Sequence, residues 1–423
     1  MDLQPPRGTS DLLPPGSDRM LRLYRAAGAL AELYGYSYVE TAILEPTELF
    51  TATSGESSDV VRKEKYTFED RSGRSLTLRP EGTAPVMRAY LAKAHELPPL
   101  FKAYYIEPEW RYGRPQAGRL REFRVFGVEV IGTTDPGGDV EVIALADTFL
   151  RERGLSRFDL RINSIGDERC RPAYRGELSS YLEANRDRLV DEHRTRFQEN
   201  PLRVLDCLDD ACVAVSSGAP KISDRLCDPC REHFAGVRSG LEGESVPHVL
   251  DTTLVRGLDY YTRTAFEFGS GELSPGQRTV CGGGRYDGLA EAMGAAPTPG
   301  VGFGMGLDRV MLAQDGEGVA EAVGGVPRCF VVAIGDAARE WASRVVRTLR
   351  ETGISAASGF EPRPLKAQLR MAGRSGAGFA AIVGEKEAGA GTVTLRRLSD
   401  GHQEELGLSN AAAWIHSQSE TSA

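Results

Sequence analysis

The sequence predicts an α+β protein of two or three domains. The chain has 423 residues, more than one hydrophobic core organises comfortably. Helical and strand-like patterns are mixed along its body. A clean strand–helix alternation then follows a stretch rich in Gly and acid that ends in Pro. With 41% hydrophobic and 26% charged residues, the composition is that of a globular protein, not a disordered or fibrous one.

Residues 16–35 read as a helix. Met20, Leu23, Tyr24, Ala27, Leu30, Ala31 and Tyr34 share one face, and Gly35 ends it. Residues 37–43 and 76–79 read as strands, 84–95 as a short amphipathic helix, and 101–106 and 123–131 as strands. A helix at 140–153 stops at Gly154, and 173–199 is mostly charged helix. Residues 200–245 carry a cysteine cluster. Strands return at 253–268 and 278–283, and a glycine-spaced strand at 300–305 runs into a helix. The segment 314–327 reads as a linker. Beyond it come strand 329–335, helix 336–352, strand 354–358, helix 363–373 and strands 379–384 and 391–398. The expected organisation is a main domain in two parts, 1–170 and 246–313, split by a mostly helical insertion, 171–245. The linker at 314–327, a small α/β domain at 328–410 and a tail at 411–423 complete it.

No apolar run approaches the ~20 residues needed to span a bilayer, so no membrane association is expected. Met1–Pro15 carries Asp2, Arg7, Asp11 and four prolines, without a charged-then-apolar leader pattern, so the cytoplasm is the expected compartment. The 51 Lys+Arg against 60 Asp+Glu give a formal charge of −9, which argues against a general nucleic-acid binder. The charge is uneven, however. Residues 328–410 hold 12 basic and 9 acidic side chains, leaving −11 on the first 327 residues.

The seven cysteines stand at 170, 207, 212, 227, 230, 281 and 329. An odd count without a leader argues against a disulfide framework. Four of them, Cys207-x4-Cys212-x14-Cys227-x2-Cys230, form a candidate structural zinc site, since two thiolates from one tight turn bind half of a tetrahedral ion.

The densest basic stretch holds Arg111, Arg114, Arg119, Arg121 and Arg124 against one acid, Glu122. Such a loop in an acidic body calls for an anionic partner, and guanidinium forks match phosphate oxygens. Strand parity puts Phe123, Val125, Gly127 and Glu129 on one face: an aromatic plate, a bare spot and a carboxylate. Gly300, Gly302, Gly304 and Gly306 strip one face of another strand, so something bulky can lie against it. Arg309 follows near a helix start, where amides favour an anion. Arg256-Gly-Leu-Asp-Tyr260-Tyr261, the turn carrying Arg285, Tyr286 and Asp287, and Glu81 with Thr83 supply further groups. This set suits a small zwitterion beside a polyphosphate, because carboxylates hold an amino group and arginines neutralise a phosphorus under attack. No GxxxxGK[ST] loop and no GxGxxG before a helix occurs.

These motifs together resemble the histidyl-tRNA synthetases, a class II aminoacyl-tRNA synthetase family. The resemblance runs from Pro6-Arg-Gly-Thr-Ser-Asp-Leu-Leu-Pro14 to Ile382-Val-Gly-Glu385. Arg111 resembles the motif-2 arginine and Gly306-Leu-Asp-Arg309 motif 3, while Arg256-Gly-Leu-Asp-Tyr-Tyr261 and Gly283-Gly-Arg-Tyr286-Asp-Gly288 resemble the two histidine-specific signatures. The resemblance implies an antiparallel-sheet catalytic domain with a helical insertion, plus an α/β anticodon-binding domain. It implies that histidine attacks the α-phosphate of Mg-ATP, that tRNA(His) then takes the histidyl group, and that the chain works as a homodimer. Arg111 and Arg256 would sit on the α-phosphate, Arg309 and Phe123 around the adenine, and Arg119 toward the outer phosphates. Glu81 and Thr83 would hold the α-amino group. Glu129, Tyr261 and Tyr286 would read the imidazole, Tyr260 would also bind the histidine, and Arg114 and Gln116 would meet the tRNA acceptor end. Two positions depart from the family pattern: Gly113 stands where a Glu is usual, and Val125 where a Gln is usual. They motivate an alternative, a paralogue that activates an amino acid for small-molecule synthesis or regulates histidine biosynthesis without charging tRNA.

Overall fold

The structure, a computed structural model, describes residues 3–53, 64–320 and 326–420. It divides into two compact units, Met1–Glu321 and Ala322–Ala423.

The first unit is built on an eight-stranded sheet. Its strands, β1 (Ser37–Tyr38), β5 (Phe101–Trp110), β6 (Glu122–Ile131), β7 (Phe158–Ser164), β8 (Val249–Leu250), β9 (Thr262–Ser270), β10 (Thr279–Arg285) and β11 (Gly300–Gly306), lie in the order β1-β5-β6-β11-β10-β9-β7-β8. All neighbours are antiparallel except the short outer pairs β1/β5 and β7/β8. A second, three-stranded sheet joins β2 (Leu44–Pro46), β3 (Tyr66–Glu69) and β4 (Ser75–Leu78) in the order β2-β4-β3. Of the strand read at 37–43 only Ser37–Tyr38 forms, and the next strand, β2, starts at Leu44 in the other sheet.

The period-2 alternation of β6 sorts its side chains between two environments. Phe126, Val128 and Val130 enter the main core, together with Val301, Phe303 and Met305 of β11. That core is closed by four helices: α1 (Gly16–Leu33), α3 (Pro136–Glu152), α5 (Asp228–Gly243) and α6 (Leu307–Glu317). Helix α2 (Thr83–Ala92) instead joins Tyr105, Val125, Tyr260, Tyr261 and Tyr286 in a second cluster. Helix α3 starts four residues before its predicted start at 140: Pro136 opens it, and the Asp135 carboxylate accepts from Gly137 N–H at 2.7 Å. Arg285 is wholly buried beside this start. It pairs with Asp139 and donates to the carbonyls of Thr133 (2.7 Å) and Asp135 (3.1 Å). Its role in the fold is to fasten β10 to α3.

The segment predicted as one charged helix at 173–199 is broken. Helix α4 (Arg171–Ala184) ends at Asn185, whose side chain donates to the Tyr181 carbonyl at 2.9 Å, and short turns follow. Leu189 and Phe197, in those turns, fold back into a local core with Leu178 and Leu182. The strand predicted at 253–268 begins only at Thr262, because Asp251 caps a turn through the N–H and hydroxyl of Thr253 (3.0 and 2.7 Å). Helix α6 (Leu307–Glu317) runs into the predicted linker. Gln314 is buried and donates to the Arg153 carbonyl at 2.9 Å, and Gly318 ends the helix at φ 71°. Residues 321–325 of that linker lie outside the described residues.

In the second unit β12 (Cys329–Ala333), β13 (Ala356–Ser358), β14 (Phe379–Val383), β15 (Thr392–Arg397) and β16 (Gln403–Gly407) form a sheet ordered β13-β12-β14-β15-β16. Helices α7 (Ala338–Glu351) and α8 (Leu365–Arg374) connect its parallel strands. The stretch expected as a tail contains helix α9 (Ala411–Glu420), whose Ala411, Trp414 and Ile415 are buried in this unit's core. An apolar face of only three residues is too short a periodic signal to identify a helix in the sequence.

Candidate active site

A cleft of about 340 Å³ opens on the sheet face opposite the main core. It is lined by Glu81, Thr83, Arg111, Arg119, Phe123, Arg256, Tyr260, Tyr261 and Arg309, nine of the predicted site residues, with Val125, Gly304 and Gly306 among its other walls. Glu129 and Tyr286 lie buried just beneath, 0% and 1% exposed. Arg114 and Gln116 stand apart from the lining on the exposed loop that joins β5 to β6, where Gln116 bridges to Arg119.

One end of the cleft gathers carboxylates. Glu81 accepts from the N–H groups of Thr83 (2.8 Å) and Ala84 (3.1 Å) and from the Tyr260 hydroxyl (3.3 Å). The Thr83 hydroxyl donates to Glu129 at 2.8 Å, so this one residue ties the two acids together. Glu129 also accepts from Tyr286 (2.5 Å) and Tyr105 (3.3 Å). Burial pushes its carboxyl up to about 8 against these hydrogen bonds. Burial raises Glu81 as well, and lifts Glu109 to about 8 despite Arg111 at 3.5 Å. A carboxyl that burial discourages from ionising gains most from a cationic or hydrogen-bonding guest. Glu129 is not on a solvated edge: β6 is paired on both sides.

The glycines of β11 divide in use. A side chain at Gly300 would meet the Tyr286 ring at 2.2 Å, and one at Gly302 would meet Glu129 Oε2 at 1.9 Å. The bulk they admit is protein. Gly304 and Gly306 face the cleft, and a Cβ at Gly304 would meet only Val125, at 3.5 Å.

The other end gathers arginines. Arg111 donates to the Pro80 carbonyl at 2.7 Å, and its guanidinium lies 5.2 Å from the centre of the Phe123 ring. Arg309, third residue of α6, donates to the carbonyls of Gly118 (2.8 Å) and Thr279 (2.6 Å). Burial, then the charges of Arg111 and Arg119, lower its proton affinity. Three converging guanidinium groups are relieved by an anion. Arg256 pairs with Glu267 and lies 5.5 Å from the centre of the Tyr261 ring. Burial opposes its charge, but Glu267 and Tyr261 hold its pKa above the usual value. Gly282 makes room for it, since a Cβ there would fall 2.6 Å from its terminal nitrogens.

Sequence reasoning missed four contributors: Tyr105, Glu109, Glu267 and Glu64. Glu64 lines the cleft, pairs with Arg119, and accepts Tyr112 N–H on its backbone carbonyl at 2.7 Å. Alternation along β5 puts Tyr105 and Glu109 on one face, which was the available signal. Glu64 and Glu267 carried none, because ion pairs between distant segments have no local pattern. Arg124 also gains a partner. Its N–H and side chain reach the Asp308 carboxylate at 2.7 and 3.2 Å.

The four cysteines read as one zinc site do not meet in one place. The structure separates them into two groups among the described residues: Cys227 and Cys230 with Asp167 and Cys170, and Cys207 and Cys212 with His193. Spacing along the chain could not reveal this, because Asp167 and Cys170 arrive from the end of β7.

A family model described as histidyl-tRNA synthetase matches residues 8–167 and 208–310, and one described as anticodon binding domain matches residues 328–418. The chain is 44% identical over 411 residues to the Halothermothrix orenii protein named histidine–tRNA ligase, covering 97% of this chain and 98% of that one. It is also 44% identical over 417 residues to the protein of the same name from Moorella thermoacetica, covering 98% of both. The crystal structure of apo histidyl-tRNA synthetase from S. aureus superimposes with a TM-score of 0.81 at 32% identity, covering 98% of this chain and all of that one.

Proposed function

The chain belongs to the histidyl-tRNA synthetase family, and from that premise we propose how its own residues activate histidine and pass it to tRNA(His). The observation that carries the reading is the two-ended cleft, with Glu81, Glu129 and three tyrosines at one end and Arg111, Arg119 and Arg309 at the other. An amino acid with a basic side chain suits the first end and a nucleoside triphosphate with its Mg2+ suits the second.

In the first step a carboxylate oxygen of histidine attacks the α-phosphorus of ATP. The bond to the β-phosphate's bridging oxygen breaks, and pyrophosphate leaves. Histidine supplies the nucleophile, so the protein's part is to position and to stabilise charge. Glu81 and Thr83 hold the α-amino group. Glu129 and Tyr286 meet the imidazole, with Tyr260 and Tyr261 closing the pocket around it. Arg111 and Arg256 stabilise the charge at the α-phosphorus, Arg119 takes the outer phosphates, and Arg309 and Phe123 enclose the adenine. In the second step a terminal ribose hydroxyl of tRNA attacks the activated carbonyl and AMP departs. Arg114 and Gln116 meet the acceptor end, and the unit beyond residue 328 binds the anticodon. We place the reaction in the cytoplasm and in a homodimer. Seven cysteines without a disulfide support a reducing compartment, and no described helix is long and apolar enough to cross a membrane.

Histidine-dependent ATP–pyrophosphate exchange followed by charging of tRNA(His) tests the reading. Both activities are expected. Exchange without charging points to the small-molecule paralogue suggested by Gly113 and Val125. Absence of exchange with any amino acid removes the ligase reading.

A further inference from the structure

We propose that Asp167, Cys170, Cys227 and Cys230 hold one structural zinc ion, and that this ion clamps the insertion to the segment just before β9 that carries Tyr260 and Tyr261. The four ligand atoms all lie within 4.8 Å of one another. Asp167 Oδ1 is 3.5 Å from the Cys170 sulfur and 3.6 Å from that of Cys227, and the Cys170 and Cys230 sulfurs are 4.0 Å apart. Zinc bonds of about 2.0 Å to oxygen and about 2.3 Å to sulfur imply, in a tetrahedron, about 3.5 Å from oxygen to sulfur and about 3.8 Å between sulfurs. The side chains thus stand close to ligand spacing. Three thiolates and one carboxylate are a donor set that favours zinc over oxygen-seeking magnesium or calcium.

The backbone is arranged for the same purpose. Cys170 stands at the N-cap position of α4 and Cys227 at that of α5, so two helix N-termini converge where thiolates would carry negative charge. Gly166, at φ 69°, brings the chain within reach of Cys170, where a Cβ would fall 2.7 Å from the sulfur. The Arg169 guanidinium holds Asp167 Oδ2 at 2.6 Å and its backbone N–H donates to Oδ1 at 3.1 Å, orienting Oδ1 toward the sulfurs as the outer support that ligating carboxylates need. Asp167, Cys170 and Cys230 are buried and Cys227 is half-buried.

The consequence for the cleft runs through Arg171, next to Cys170. It donates to the Gly166 carbonyl at 3.2 Å and to the Tyr261 carbonyl at 2.5 Å. The backbone around Tyr261 is thereby tied to the cluster. The second group, His193 with Cys207 and Cys212, offers three ligands among the described residues and serves as the control.

Elemental analysis of the full-length protein, purified without chelator, tests this independently of the ligase reading. One zinc per chain is expected. Cys227→Ser and Cys230→Ser should each bring the content below about a tenth, whereas a Cys207→Ser/Cys212→Ser double variant should keep it. Asp167→Ala should release zinc to a chelator faster, and Asp167→Cys more slowly. Should the cysteine variants not fold, cobalt(II) added to the stripped wild-type protein should give the intense thiolate charge-transfer bands of a tetrahedral site. Zinc near zero without those bands, iron in its place, or zinc lost only in the 207/212 variant overturns the proposal. Stripped protein should show a raised KM for histidine in pyrophosphate exchange with a near-normal KM for ATP. Unchanged KM values overturn the clamp while leaving the metal in place.

Discussion

Tyr286 donates its phenol proton to Glu129 across 2.5 Å, deep under the cleft floor, and each of the two side chains occupies space left by a glycine of β11. The alternate glycines of that strand thus have two uses. Gly300 and Gly302 admit the tyrosine and the acid, and Gly304 and Gly306 leave the cleft open beside them. The buried pair sets the chemistry available to a guest, because among the described residues the hydrogen-bond partners of Glu129 are the hydroxyls of Thr83, Tyr105 and Tyr286 and not a cation.

That burial makes stability depend on pH. Glu129 keeps its proton to about 8 in the folded chain, against an ordinary value of 4.5. Between those values the unfolded state binds fewer protons, so stability falls as pH rises through the window. Below it both states are protonated, and above it neither is. Urea unfolding between about pH 5 and about pH 8 should show this decline, and Glu129→Gln should remove part of its slope. An unchanged slope would mean that Glu129 is ionised in the free protein. Glu109, also raised to about 8, should account for a further part.

Gly302→Ala should remove the space for Glu129. The new Cβ would stand 1.9 Å from Glu129 Oε2 and 2.4 Å from the Val128 carbonyl oxygen. The carboxylate can move but the backbone of the paired strand cannot, so a cost of about 1–3 kcal/mol is expected. Thermal unfolding reads the stability, and the histidine KM in pyrophosphate exchange should rise at least tenfold.

Arg256→Ala should abolish exchange. Removing one group that stabilises charge at a reacting centre typically costs about 100- to 1,000-fold in rate. It also takes the ion-pair partner from Glu267, which keeps the Thr279 hydroxyl at 2.9 Å. Arg256→Ala with Glu267→Gln should therefore recover stability without recovering rate, as read by unfolding and exchange on the same preparations.

The parts of this site legible in sequence were those with local form. Parity placed Phe123, Val125 and Glu129 on the cleft face, and the clustered arginines gave the anion-binding end. Arg285 shows the limit. It sits between two residues of a recognised motif, yet its strand position turns it into the interior onto Asp139. The cluster around Cys227 shows another limit. Cys227 and Cys230 are neighbours in sequence, but the groups beside them come from residues some sixty positions earlier. The second unit's last helix has too short a pattern to be legible, because its buried face is only Ala411, Trp414 and Ile415.

That helix is open to a direct test. Ile415 is fully buried, and Trp414 donates to Glu404 at 2.8 Å. Ile415→Ala should destabilise the second unit by about 2–4 kcal/mol. Since the matched anticodon-binding region extends to residue 418, tRNA charging should weaken while pyrophosphate exchange stays unchanged. Equal loss of both activities would contradict this division of labour.

Gly113 poses the sharpest question, because histidyl-tRNA synthetases usually carry a glutamate there. In this chain the Arg119 guanidinium stands beside the bare backbone, with its Nε 3.0 Å from where a Cβ would be. Arg119 pairs instead with Glu64, from the segment that enters β3. Glu64 thus brings a carboxylate to Arg119 from a different strand connection. Glu64→Ala should free Arg119 and raise the KM for ATP in pyrophosphate exchange by about 3- to 30-fold, the effect of losing about 0.7–2 kcal/mol. Gly113→Glu alone should change little, since the flexible guanidinium can yield a few tenths of an ångström. In the Glu64→Ala background the same substitution should restore most of the ATP affinity. The two changes are then coupled, and a double-mutant cycle measures by how much. Additive effects would show that Glu64 does not stand in for the residue missing at 113.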